Sequence, residues 1–245
     1  MPIPAGTPPS PLPPAPPPPA KSSVAIWVTL RHPAFRTLWW ASAIYFIANA
    51  MHGMAASWLM VELTGSSFLA ALVQTAVFLP MFVLALPAGV LADTTNRQHL
   101  ILGALAMQAA SVLLLAVLLL LGWAGPATIL ALTFVAGCCT AMLSPAWNAV
   151  VGDILPRDEL PQAIVTMSIA YNAARALGPT LAGLIYGLAR SLALDTPPLP
   201  ADADEAAAIS AVSAAGGGHH AGLVGGGAVL ALALGGTLVL AWAML

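Results

Sequence analysis

The chain has 245 residues, of which 60% are hydrophobic and only 7% charged, with a net charge of −2. A soluble domain carries roughly 25% charged residues, so no water-facing surface can be assembled from this composition, and lipid must be the solvent for most of the chain. The slight negative balance leaves no basic footprint for nucleic acid, and the two cysteines, adjacent at Cys138 and Cys139, offer neither a metal-ligand spacing nor a disulfide framework.

The first twenty residues hold eleven prolines. They lack the charged and apolar regions of a signal peptide, and residues 1–30 are expected to be a disordered, partly polyproline II tail. Beyond it, long uncharged intervals mark membrane crossings, each needing about 20 apolar residues. Helix 1 lies between Arg36 and Glu62, and helix 2 between the turn Thr64-Gly65-Ser66-Ser67 and Asp93. The uncharged interval from Arg97 to Asp153 holds two crossings, about 99–121 and about 127–146, split by Gly122-Trp123-Ala124-Gly125-Pro126. Helix 5 runs over about 163–189 and is interrupted only by Arg175. Residues 191–220 form an Ala/Gly-rich outer loop, and helix 6 covers about 221–245. The expected fold is therefore all-α: a polytopic six-helix bundle.

Lys and Arg collect on the cytoplasmic side of membrane proteins. With a cytoplasmic N-terminus, the inner side holds Lys21, Arg31, Arg36, Arg97 and Arg157, and the outer side only Arg190. That topology is the expected one.

Three motifs point toward transport. Helices 2 and 3 are joined by Gly89-Val-Leu-Ala-Asp93-Thr-Thr-Asn96-Arg97. Gly89 removes a side chain where helices approach, Asp93 suits the positive end of helix 3, and Arg97 can pair with Asp93 or another carboxylate. The same residues would also serve as a plain cytoplasmic turn. In helix 5, Asn172-Ala-Ala-Arg175-Ala-Leu-Gly178-Pro179-Thr-Leu-Ala-Gly183 combines a proline that removes a backbone hydrogen bond with glycines that permit close packing. A third set consists of Pro145-Ala-Trp147-Asn148, Leu155-Pro-Arg157-Asp-Glu159-Leu-Pro-Gln-Ala163 and Trp58-Leu-Met-Val-Glu62-Leu-Thr64-Gly65-Ser66.

The loop Gly89/Asp93/Arg97 resembles the signature loop of the major facilitator superfamily. Thr94 stands where a basic residue is common, and Asn96 where glycine is common. The Gly178-Pro179 segment with Gly183 resembles the helix-5 motif of exporters in that superfamily. The three sets together are similar to its enterobactin-exporter-like branch, collinearly over about residues 31–190. The resemblance implies a multi-pass protein of the bacterial inner membrane that exports a small siderophore-like or drug-like molecule. Facilitators of this kind have two six-helix halves, and the chain corresponds to the N-terminal one. A second half is therefore an expected partner, beside the lipid and the substrate, because alternating access rocks one bundle against another.

An ionisable residue inside the membrane is a functional candidate by default. Arg175 lies about 12 residues into helix 5, or ~18 Å at the helical rise, near mid-bilayer. The family resemblance implies that helices 1, 2, 4 and 5 line the pathway, so Arg175, Asn172, Asn49 and His52 are expected to face a polar cavity. There they could hold an anionic or hydroxyl-rich group. Arg175 serves equally as a structural pin bonded to backbone carbonyls, and His52 as either a proton relay or a packing residue. Gln74 and Gln108 read as helix–helix hydrogen bonds. No hydrolase motif, metal-binding pair or intramembrane carboxylate pair occurs, so neither an enzyme nor a cofactor or metal is expected. The competing reading is an inactive remnant or a non-transporting membrane scaffold.

Overall fold

The computed structural model describes residues 26–193 and 218–244. A short 3₁₀ turn, Ile26–Arg31, leads into six α-helices: α1 Pro33–Thr64, α2 Ser67–Thr94, α3 Arg97–Leu120, α4 Pro126–Ile154, α5 Leu160–Ala193 and α6 Gly218–Ala243. Among the described residues there is no strand. Helices α1 to α4, and Gly225–Ala243 of α6, are each long and apolar enough to cross a membrane.

Local chemistry sets most of the boundaries. Pro33 opens α1 at a position whose N–H has no helical acceptor. Gly65 closes it at φ 65°, in the left-handed region that glycine enters freely, with its N–H on the Val61 carbonyl. The Ser66 hydroxyl then accepts from the Leu69 N–H to start α2. Gly122 turns the chain at φ 72°, and Pro126 opens α4. At α3 the sequence reading needs correction. The side chain that caps the helix is that of Asn96, which accepts from the N–H groups of Gln98 and His99, and Asp93 still belongs to the last turn of α2.

Two further boundaries differ for a physical reason. Helix α4 continues through Pro145 to Ile154, and α5 begins at Leu160. A count of about 20 residues measures only the hydrocarbon, and these helices run on past it. The expected tail is also shorter, since Ile26–Arg31 is helical and Thr29 is fully buried. The rest of the tail, with Lys21, and residues 194–217 of the expected outer loop lie outside the described residues.

Contacts fix the direction of every helix. Gln74 of α2 donates to Ser57 (2.9 Å) and to the Gly53 carbonyl of α1. Arg97 at the start of α3 pairs with Asp153 at the end of α4 (2.7 Å). Gln98 donates to the Met244 carbonyl just beyond α6, while Leu120 reaches Gly227 at its other end. Gly236 and Gly226 of α6 pack on Ala48 and Leu59 of α1, so these two helices are antiparallel. By contrast α5 runs parallel to α1: Glu159 meets Arg31, Trp39 donates to the Thr166 carbonyl, Gly178 abuts Ala50 and Tyr186 stacks on Trp58. Crossings thus alternate. α5 carries too many polar residues to match the apolarity of the others, yet it occupies the same slab as α1 from end to end.

Burial of apolar surface cannot drive helices together in lipid, so close packing must. Two core clusters fill the middle of the bundle. One is built on Leu59, Met60, Leu115, Leu119 and Leu230, and the other on Phe35, Ile101, Leu105, Ala146 and Leu240. Glycines bring backbones close at Gly236 on α1 and at Gly178, where an added Cβ would lie 2.5 Å from that of Ala50, and Gly226 makes room for the Leu59 side chain.

A cavity at the junction of four helices

Helices α4 and α5 hardly touch, although α4 packs tightly on α2 and α5 on α1. The resulting cleft is a cavity of about 530 Å³. Its back is α1, through Ser42, Tyr45, Phe46 and Asn49. One wall is α2 and α4, with Val77, Phe78, Met81, Thr140, Trp147 and Asn148. The other is α5, with Leu160, Ile164, Ser168 and Tyr171. Leu240 of α6 lies at its base, and no residue of the lining is ionised.

A hydrogen-bonded bridge crosses the bundle behind this cavity. The Tyr45 hydroxyl donates to Gln108 Oε1 (2.9 Å) and lies 3.5 Å from Thr140 Oγ1. Gln108 Nε2 donates to Asn49 Oδ1 (3.1 Å). Three of its members, Tyr45, Asn49 and Thr140, reach the lining, and Gln108 is buried on α3. In a low-dielectric interior such a bridge fixes the relative rotation of three helices, because any slippage strands polar groups away from water. Beside it an aromatic row runs outward. Tyr45 lies 5.8 Å from Phe46, which meets Tyr171 edge-on at 5.3 Å, and the Arg175 guanidinium lies over the Tyr171 ring, 5.9 Å from its centroid.

The four residues expected in a polar cavity are distributed differently. Asn49 lines it. His52, one turn along α1, is buried off the lining, and neither ring nitrogen has a protein partner. Asn172 is exposed, and its amide donates to the Ser168 carbonyl of its own helix (2.8 Å). Arg175 is exposed at the rim, joined to the lining through Tyr171. The lining residues that sequence reasoning missed include Tyr45 and Thr140, while Trp147 and Asn148 had stood out only as part of a motif. A tyrosine one turn before Asn49 was the available signal, because i and i+4 share a helix face.

The loop and helix-5 motifs also have definite positions. Asp93 is exposed, and Arg97 binds Asp153. Gly89 meets nothing within 4 Å of an added Cβ, so the close helix approach expected there does not occur within this bundle. Gly178 is at a close approach, whereas Gly183 makes only ordinary contact, 3.7 Å from Trp58. Pro179 sits inside α5, where it cannot donate to the carbonyl four residues earlier, that of Arg175. A second ionic cluster ties the start of α1 to the start of α5: the buried Glu159 carboxylate accepts from Arg31 and lies 3.0 Å from His32 Nε2. Among the described residues no group of His, Cys, Asp and Glu could hold a metal.

Comparison with known proteins decides the family. The model of the family described as "Transmembrane secretion effector" matches residues 24–195. The chain belongs to that family. The match places it in the major facilitator superfamily, in keeping with the apolar helices of a multi-pass membrane protein. Macrolide efflux protein A of Streptococcus pyogenes is 26% identical over 154 residues, and the same figures hold for the protein of that name from serotype M6. The match covers 63% of this chain and 38% of the relative, so the chain corresponds to less than half of the curated proteins it resembles. No solved structure matches it. The secretion-effector match starts just before the 3₁₀ turn and ends just after α5, so it contains every helix that walls the cavity.

Proposed function

We propose that the chain is the first six-helix bundle of a secondary active exporter, and that its substrate binds in the cavity between α1, α2, α4 and α5. The observation that carries this reading is the cavity itself: mostly apolar walls, a few convergent hydroxyl and amide groups, and a rigid polar bridge behind them. Small-molecule sites are built this way. The efflux function of the Streptococcus relative supports export as the direction. Resemblance to the enterobactin-exporter-like branch supports a siderophore-like or drug-like substrate.

A second bundle completes the transporter in this reading. Its support is the exposed face formed by Asn148, Ser168, Asn172 and Arg175. A mid-depth arginine is costly to leave against hydrocarbon, and alternating access needs a second body to move against. The bundle end holding Arg31, Arg36, Arg97 and Arg157 faces the cytoplasm, following the positive-inside rule.

Export is tested by reconstituting the chain into vesicles, alone and with its second half, and following loss of a fluorescent drug across an imposed proton gradient. Loss above that of empty vesicles, reduced by Asn49→Ala, is the expected result. If no preparation exports any siderophore or drug, the non-transporting scaffold reading takes over. Orientation is tested separately with single cysteines at positions 94 and 123, probed by a membrane-impermeant reagent in intact cells. Labelling at 123 and protection at 94 is the expected pattern.

A further inference from the structure

The distribution of charge inside the bundle is one-sided. No acidic residue occurs on α1 before Glu62, on α2 before Asp93 or on α4 before Asp153, and none occurs anywhere in α3, α5 or α6. Each of those three carboxylates sits at a helix end. The cation at mid-depth is Arg175: Gly178, three residues on, packs against Ala50 near the middle of α1. Among the described residues no carboxylate lies within ion-pair distance of Arg175. Its guanidinium is held over the outward face of the aromatic row, one ring from the cavity, and its N–H donors stay open.

This bundle therefore presents a substrate with an apolar, partly aromatic pocket and a single positive charge at the pocket's edge. An anion gains there without displacing an existing partner, and a cation meets uncompensated repulsion where water screens poorly. The planar guanidinium also suits a carboxylate, which it can grip through two parallel hydrogen bonds. We propose that the cavity takes a small molecule with an aromatic or other flat apolar body and one anionic group. Arg175, poised on the Tyr171 ring, is the residue that selects that charge. The assignment rests on the cavity being the substrate site, and it adds the substrate's charge and the residue that reads it.

Three probes with one ring system separate the terms: naphthoate, naphthamide and naphthylmethylammonium. Equilibrium dialysis measures their binding to the full chain in nanodiscs of zwitterionic lipid, with empty nanodiscs subtracted. Naphthoate is expected to bind about fivefold or more tighter than the ammonium probe, the scale of one partly screened charge pair. The amide should fall between them. Arg175→Gln is expected to level the series and Arg175→Lys to keep most of it. Tyr171→Leu, which removes the ring under the guanidinium and keeps the charge, should shrink the preference and serves if the Gln variant does not fold. Equal binding of all three probes, or a preference untouched by Arg175→Gln and Tyr171→Leu, overturns the charge assignment and leaves the cavity as a site. If none of the three binds, the cavity reading fails as well.

Discussion

The side of the bundle where α1 meets α6 and the side where α4 faces α5 use much the same residue types to opposite ends. On the first, Gly236 lies against Ala48 and Gly226 against Leu59, leaving no room for a methyl group. On the second, exposed Ser168 and Asn148 look across an open cleft. In lipid, apolarity does not distinguish a contact from a free surface. Side-chain size and the fate of polar groups do. The closed side sets glycines against α1, and the open side holds an amide and a hydroxyl facing the cleft.

The sharpest way to break this contrast is to overfill the closed side. Gly236→Leu should cost about 3 kcal/mol, at the upper end of overpacking penalties, read as early loss of helicity in mixed detergent unfolding. Next comes the bridge between the two sides. Gln108→Leu removes both of its bonds and leaves Tyr45 and Asn49 without their partner, so about 1.5 kcal/mol is expected, near the maximum for membrane hydrogen bonds. Its signature is faster hydrogen exchange in the middle of both α1 and α3, the two helices those bonds join. Glu159→Gln weakens the tie between the starts of α1 and α5. The Arg31 side chain is 64% exposed, so solvent screening holds the loss to about 1 kcal/mol or less, seen as faster exchange over the first turns of α5. The smallest effect has the opposite sign. Gly89→Ala adds a methyl to open space and should stabilise the isolated bundle by about 0.5 kcal/mol through helix propensity. A large loss at that position in the assembled transporter, but not in the bundle alone, would locate the surface that the second half covers.

The six helices and their turns were legible because lipid imposes a length and forbids most charges. Gly65, Gly122 and Pro126 stand where the uncharged intervals had to break. Gln74 and Gln108 were readable as interhelical bonds for the same reason: an amide in hydrocarbon must find a partner. The cavity was legible only in part. Asn49 announced itself as a polar residue at mid-depth, yet His52 is just as polar, lies one turn away and is buried. Which face of α1 looks into the cleft depends on how α4 and α5 flank it, and no local pattern carries that. Trp147 and Asn148 stood out as part of a motif but fell outside the expected crossing, because a count from hydrocarbon thickness stops at residue 146, while the helix does not. Arg175 was conspicuous at once, and Tyr171, four residues earlier, shares its helix face by spacing alone; that this face lies at the rim of the cleft depends on how α5 packs, which the spacing does not carry.

Gly137 of α4 lies directly on the backbone of α2. A Cβ there would come 2.7 Å from the Ala76 oxygen and 2.9 Å from that of Val77. Pro80, four residues after Ala76, has no N–H to give that oxygen, so a bare Cα hydrogen faces an acceptor the helix leaves free. The spacing of these two helices, and with it the girth of the chamber they wall, is thus set by the radius of a hydrogen atom. Exchanging that atom for a methyl would wedge α2 and α4 apart and enlarge the range of molecules the chamber can hold, with every polar group of its lining left in place.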